Sequence, residues 1–235
     1  MQQLRHTRPN RVISAFAISA TNYDAISKGL SRMHGVPHLA PEPQQAIAQR
    51  VREGLGMRSI VMIGLMGCGK TSVGRRIAQQ LGLPFVDADE AIEQAAGKTI
   101  KEIFDDHGEA YFRDGERRVI ARLLRSAPQV LATGGGAYMN AETRAAIAEA
   151  GLAVWLKAEL PVLMRRVLKR SNRPLLQSAN PEEIMRGFMA ARYPIYAQAP
   201  ITVDSRDIPH DAMAVRVIEA LHSHFTQQTA SDPSP

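Results

Sequence analysis

The chain has 235 residues, 45% of them apolar and 5% aromatic, with a formal net charge of +6. That is enough for one sizeable domain with an extra segment, and no apolar run approaches the roughly 20 residues a membrane helix needs. A single cysteine, Cys68, excludes an intrachain disulfide, and the seven histidines show no zinc-ligand spacing.

Residues 1–41 carry Arg5, Arg8, Arg11, Lys28 and Arg32 against Asp24, so +4 of the total charge sits there. The high pI therefore describes an N-terminal arm, and a nucleic-acid surface is not expected. The arm is acid-poor and weakly periodic, the pattern of a dispensable, disordered segment, a targeting peptide or an upstream start. Pro41 and Pro43 mark a boundary, and Gln44–Gly54 has the spacing of a short amphipathic helix.

From Arg58 onward short apolar runs alternate with helical stretches. Strands are expected at Ile60–Gly64, Pro84–Asp87, Gln129–Thr133, Leu152–Leu156 and Ile201–Val203. Helices are expected at Lys70–Leu81, Glu90–Ala96, Ile100–His107, Glu109–Arg125, Ala141–Glu149, Pro161–Lys169, Glu182–Gln198 and Asp211–His224. Unbroken apolar strands between helices imply a parallel sheet covered on both faces, with sites at the strands' carboxyl ends. The composition of Thr226–Pro235 predicts a disordered tail.

After the first strand comes Gly64-Leu-Met-Gly67-Cys-Gly69-Lys70-Thr71, which fits G-x-x-x-x-G-K-[ST] in its required place between strand and helix. Glycines there let backbone N–H groups converge on phosphate, Lys70 reaches the β/γ-phosphates and Thr71 offers a hydroxyl to Mg²⁺. Cys68 occupies a free position of the motif, where a thiol would make the protein sensitive to alkylation. The second strand ends in Asp87-Ala88-Asp89-Glu90. Two residues apart on a strand, Asp87 and Asp89 project to one side, where one can hold the metal's water shell and the other face an incoming hydroxyl; alternatively Asp89 caps the next helix.

Further along, Arg113 has Glu116 within helical reach. Gly134, Gly135 and Gly136 form a second glycine loop at a strand end, suited to close approach of a small polar ligand, with Asn140 placed to cap the following helix. Lys169-Arg170-Ser-Asn-Arg173-Pro174-Leu-Leu is a basic, proline-broken stretch suited to a lid over about 169–180 that delivers Arg173 to a phosphoryl group. Arg192 lies near the end of the penultimate helix.

GLMGCGKT, VDADE, EAYFRDGE, ATGGGA, NRPLL and MAARYPIY, in this order, resemble the shikimate kinase family across about Arg58 to His224. The resemblance implies an α/β P-loop fold similar to nucleoside monophosphate kinases, with a five-stranded parallel sheet in the order 2-3-1-4-5. It also implies ATP-dependent phosphorylation of the 3-hydroxyl of shikimate in the aromatic amino-acid route. Carried over by position, Gly67, Cys68, Gly69, Lys70, Thr71, Ser72, Arg166 and Arg173 would bind ATP, and Thr71 and Asp87 would hold Mg²⁺. Asp89, Arg113, Gly134, Gly135, Gly136 and Arg192 would bind shikimate, with Lys70, Asp89 and Arg173 catalytic. Asp204–Pro209 falls where that family has its adenine loop. The expected organisation is an arm over 1–41, a kinase domain over 42–225 and a tail over 226–235. The expected protein is a cytoplasmic monomer acting on ATP and shikimate, with neither nucleic acid nor membrane as partner. Competing readings are a gluconate kinase-like enzyme and a nucleotide-binding regulator.

Overall fold

Five buried residues in a row, Ser59–Ile63, form the central strand β1. A computed structural model describes residues 44–126, 128–169 and 180–231; the arm over 1–41 and most of the expected lid lie outside them. Before β1 runs α1 (Gln44–Leu55), and after it α2 (Lys70–Leu81), β2 (Phe85–Asp87), α3 (Ala88–Ala96), α4 (Ile100–Leu124) and β3 (Val130–Ala132). A 3₁₀ turn (Ala137–Met139) leads into α5 (Ala141–Ala150), β4 (Gly151–Lys157), α6 (Leu160–Leu168), α7 (Pro181–Tyr196), β5 (Ile201–Asp204) and α8 (His210–Ser231).

All the strand pairs are parallel, in the order β2-β3-β1-β4-β5. Ile60 pairs with Val130 on one side and Leu152 on the other, so β1 is hydrogen-bonded along both edges and buried on both faces. A parallel sheet puts every carboxyl end on one edge. There β1, β2 and β3 release Gly64, Asp87 and Thr133 side by side.

The helix boundaries follow from their caps. Thr99 and Glu102 form a reciprocal capping box at the start of α4. Asn140 accepts from the Thr143 N–H at the start of α5, as its position predicts. Gly108, with φ 79° and ψ 178°, breaks α4 where the sequence separates two helices. Its second half carries Phe112, which packs with Ile92 and Ile103 in a small cluster apart from the main core.

Two expectations fail. Asp89 is neither a strand residue nor a cap: the chain passes from β2 into α3 without a loop, Asp87 is the N-cap, and its Oδ1 accepts the Asp89 N–H at 3.0 Å. The expected disordered tail begins too early, because α8 runs on through Ser231. Phe225, 7% exposed, lies so close to α1 that a Cβ on Gly54 would stand 2.5 Å from its ring. That anchor lets an already nucleated helix continue through a polar stretch, with the Thr226 hydroxyl turned back onto the His222 carbonyl. Among the described residues no helix is long and apolar enough to cross a membrane.

Candidate active site

The loop between β1 and α2 has a shape that only glycines allow. Gly64, Gly67 and Gly69 have φ of 136°, 83° and 102°. A Cβ on Gly64 would stand 2.8 Å from the Leu156 carbonyl oxygen, and one on Gly67 would stand 2.9 Å from the Val167 side chain. Cys68 points inward and is fully buried. The thiol fills space behind the loop, and the expectation of ready alkylation does not suit so enclosed a group. Lys70 folds its ammonium back onto the carbonyls of Gly64 at 2.8 Å and Leu65 at 3.0 Å.

β3 separates β2 from β1, yet the second strand's tip still reaches the phosphate loop. Thr71, in the first turn of α2, donates to Asp87 Oδ2 at 2.9 Å. Among the described residues no three His, Cys, Asp or Glu side chains cluster as a metal cage. A lone hydroxyl and carboxylate fit a hard cation that keeps several waters and takes phosphate oxygens, as Mg²⁺ does. Asp89, in the first turn of α3, lines the same cleft of about 450 Å³ with Gly67, Lys70, Thr71, Gly134 and Arg166. Burial first, then the charges of Asp87 and Glu116, push its carboxyl up to about 6 despite Lys70.

The three glycines after β3 are where the charged groups converge. A Cβ on Gly134 would lie 2.8 Å from Glu116 Oε1 and 2.9 Å from Asp89 Oδ1. One on Gly135 would lie 3.4 Å from Arg192 Nη1 and 3.6 Å from the Gly64 carbonyl oxygen, and one on Gly136 would lie 2.5 Å from Arg113 Nη1. Neighbouring Cα atoms are about 3.8 Å apart, so both guanidinium groups, two carboxylates and the phosphate loop gather around one short run of backbone. Side chains there would fill the space.

The arginines are held from behind. Arg113 pairs with Glu116 at 2.7 Å and Glu109 at 3.2 Å. Burial opposes its charge, but the two carboxylates outweigh that and hold its pKa above the ordinary value. Glu116 is itself buried, which pushes its carboxyl upward in spite of Arg113. Arg192 donates to the Gly135 carbonyl at 3.1 Å and stacks over Phe188 at 4.4 Å.

Arg166 joins the phosphate loop to the segment after β5. Its guanidinium donates to the Cys68 carbonyl at 3.3 Å, Ser205 Oγ at 2.9 Å and the Arg206 carbonyl at 2.6 Å, and Ser205 Oγ in turn donates to the Cys68 carbonyl at 2.8 Å. Ser72 lines the cleft beside Asp207 and Pro209. The structure thus brings together every expected site residue it describes; Arg173 lies outside the described residues. Two contacts went unread in the sequence. Ser205 is one polar residue within the Asp204–Pro209 stretch, and Tyr196, whose hydroxyl donates to the Gly135 carbonyl, reads as an ordinary core aromatic.

A doubly covered parallel sheet, a glycine-lysine phosphate loop and an adjoining recess lined with cations and glycines define a P-loop kinase whose acceptor is a small molecule. A family model described as shikimate kinase matches residues 66–222. Relatives named shikimate kinase from Bradyrhizobium diazoefficiens and Mesorhizobium japonicum are 54% and 51% identical over 183 and 188 residues, covering 78% and 80% of this chain and 88% and 92% of theirs. A solved shikimate kinase from Acinetobacter baumannii, in complex with shikimate, superposes with a TM-score of 0.68 at 35% identity, covering 77% of this chain and 98% of that one. The chain belongs to the shikimate kinase family.

Proposed function

We propose that the chain transfers the γ-phosphoryl group of ATP to the 3-hydroxyl of shikimate in the cleft between the Gly64–Thr71 loop and the Gly134–Gly136 run. The convergence of Arg113, Arg192, Asp89 and Glu116 on three consecutive glycines carries this reading. A planar guanidinium meets a carboxylate through two parallel hydrogen bonds, so two arginines on one glycine run suit the single carboxylate of a small hydroxy acid. Backbone N–H groups of the run add fixed donors for its hydroxyls.

Asp89 then faces the acceptor hydroxyl and takes its proton as the bond to phosphorus forms. Lys70 leaves its carbonyl partners for the β- and γ-phosphate oxygens, the backbone N–H groups of Gly67, Cys68 and Gly69 cradle the β-phosphate, and Ser72 and Arg166 border the nucleotide. Thr71 directly and Asp87 through water would hold Mg²⁺, which neutralises phosphate charge when bound. Arg173 from the expected lid at 169–180 covers the transferring group. Phosphoryl transfer passes through a loose transition state with charge spread over oxygens, so orientation and neutralisation supply most of the acceleration. The product, shikimate 3-phosphate, belongs to the route to chorismate, and we place the enzyme in the cytoplasm as a monomer.

ADP release measured with shikimate, quinate or gluconate as acceptor tests this. Release that depends on shikimate and is at least tenfold weaker with the other two supports the reading, and ATP binding with no acceptor-stimulated turnover overturns it.

A further inference from the structure

The carbonyl of Gly135 accepts two hydrogen bonds from α7. Arg192 Nη1 supplies one at 3.1 Å, and the hydroxyl of Tyr196, one helical turn further on, supplies the other. A carbonyl oxygen has two lone pairs, so this acceptor is fully used. Three glycines in succession would otherwise leave this backbone the freest part of the cleft.

Tyr196 is itself held rigidly. It is fully buried, with its ring centroid 5.9 Å from Trp155 on β4 and 6.4 Å from Tyr138 in the 3₁₀ turn that ends the glycine run. Burial pushes its hydroxyl up to about 12, so it stays a donor throughout the working range of pH. The peptide unit between Gly135 and Gly136 is planar and trans, so a carbonyl pinned toward α7 fixes the Gly136 N–H in the opposite direction. Among the described residues none of the N–H groups of Gly134, Gly135 and Gly136 has a hydrogen-bond acceptor.

We infer that Tyr196 is a positioning residue for the acceptor: its hydroxyl, with Arg192, locks the Gly135–Gly136 peptide so that the Gly136 N–H is presented to shikimate. This rests on the proposed shikimate cleft for its kinetic consequence but not for the locking itself. The ring belongs to the core and the hydroxyl to the site, so removing the hydroxyl alone separates the two.

The test compares Tyr196→Phe with Tyr193→Phe. The second variant loses an equivalent hydrogen bond, from the Tyr193 hydroxyl to the Ala158 carbonyl, within the same aromatic group. Tyr196→Phe should raise KM for shikimate about five- to tenfold, the worth of one hydrogen bond, with KM for ATP changed less than twofold. The backbone order parameter of the Gly136 N–H, from ¹⁵N relaxation of the free protein, should fall from the rigid value of about 0.85 toward the flexible range below about 0.6. Tyr193→Phe should change neither. An unaltered Gly136 order parameter in Tyr196→Phe, or equal losses toward both substrates with a lower unfolding midpoint, would overturn the inference. A wild-type protein that does not phosphorylate shikimate would sink the functional reading instead, and the order-parameter comparison would still decide the locking.

Discussion

Asp89 is stored in the folded protein at a disadvantage. Its carboxyl titrates near 6 instead of the usual 3.8, because burial and the neighbouring carboxylates disfavour its charge. An acid with a raised native pKa keeps its proton in the folded state after the unfolded chain has lost it, so stability falls as pH rises from about 4 to about 6 and stays lower above that. Each unit is worth about 1.4 kcal/mol. Asp89→Asn should therefore stabilise the ligand-free protein by about 3 kcal/mol at pH 8, with the gain vanishing below about pH 4, and should reduce turnover by roughly 10²–10⁴-fold. Urea unfolding at several pH values checks the first part; a gain that does not vary with pH would contradict it. Gly136 offers a second probe. Its φ of −97° suits any residue, so Gly136→Ala should cost little stability. The new methyl would displace the Arg113 guanidinium, however, and should raise KM for shikimate at least tenfold.

At the scale of elements, α4 depends on one break. Gly108 occupies a backbone region essentially reserved for glycine, and the break re-aims the half of the helix that carries Phe112, Arg113 and Glu116. Gly108→Ala should cost about 1–3 kcal/mol in denaturant unfolding and weaken acceptor binding more than ATP binding. This break was legible in the sequence, as were the strands, whose unbroken apolar runs match burial on both faces. What misled was the junction at Asp87. With no glycine or proline between β2 and α3, strand periodicity extended past its end and placed Asp89 beside Asp87 on one face; the helix puts Asp89 in the cleft by a different geometry. The end of α8 misled for the opposite reason, since a polar composition cannot reveal that Phe225 packs against α1.

For the molecule as a whole, the parallel sheet places three strand tips on one edge, so that phosphate loop, carboxylates and glycine run meet without any long connection. The motifs on those tips were legible one by one, because phosphate binding demands glycines and a lysine at fixed spacing. The Gly135 anchor was not, because it joins residues 61 positions apart and only the assembled sheet brings them together. We propose that residues 1–41 take no part in this chemistry, so deleting them should leave kcat, both KM values and the unfolding midpoint essentially unchanged.

The account turns most on the two arginines serving one acid while the phosphate loop serves ATP. Steady-state kinetics of Arg113→Lys, which keeps a cation beside Glu116 but loses the planar fork, tests that division. We expect KM for shikimate to rise tenfold or more with KM for ATP within a factor of two. Equal rises for both substrates, or none for shikimate, would contradict it.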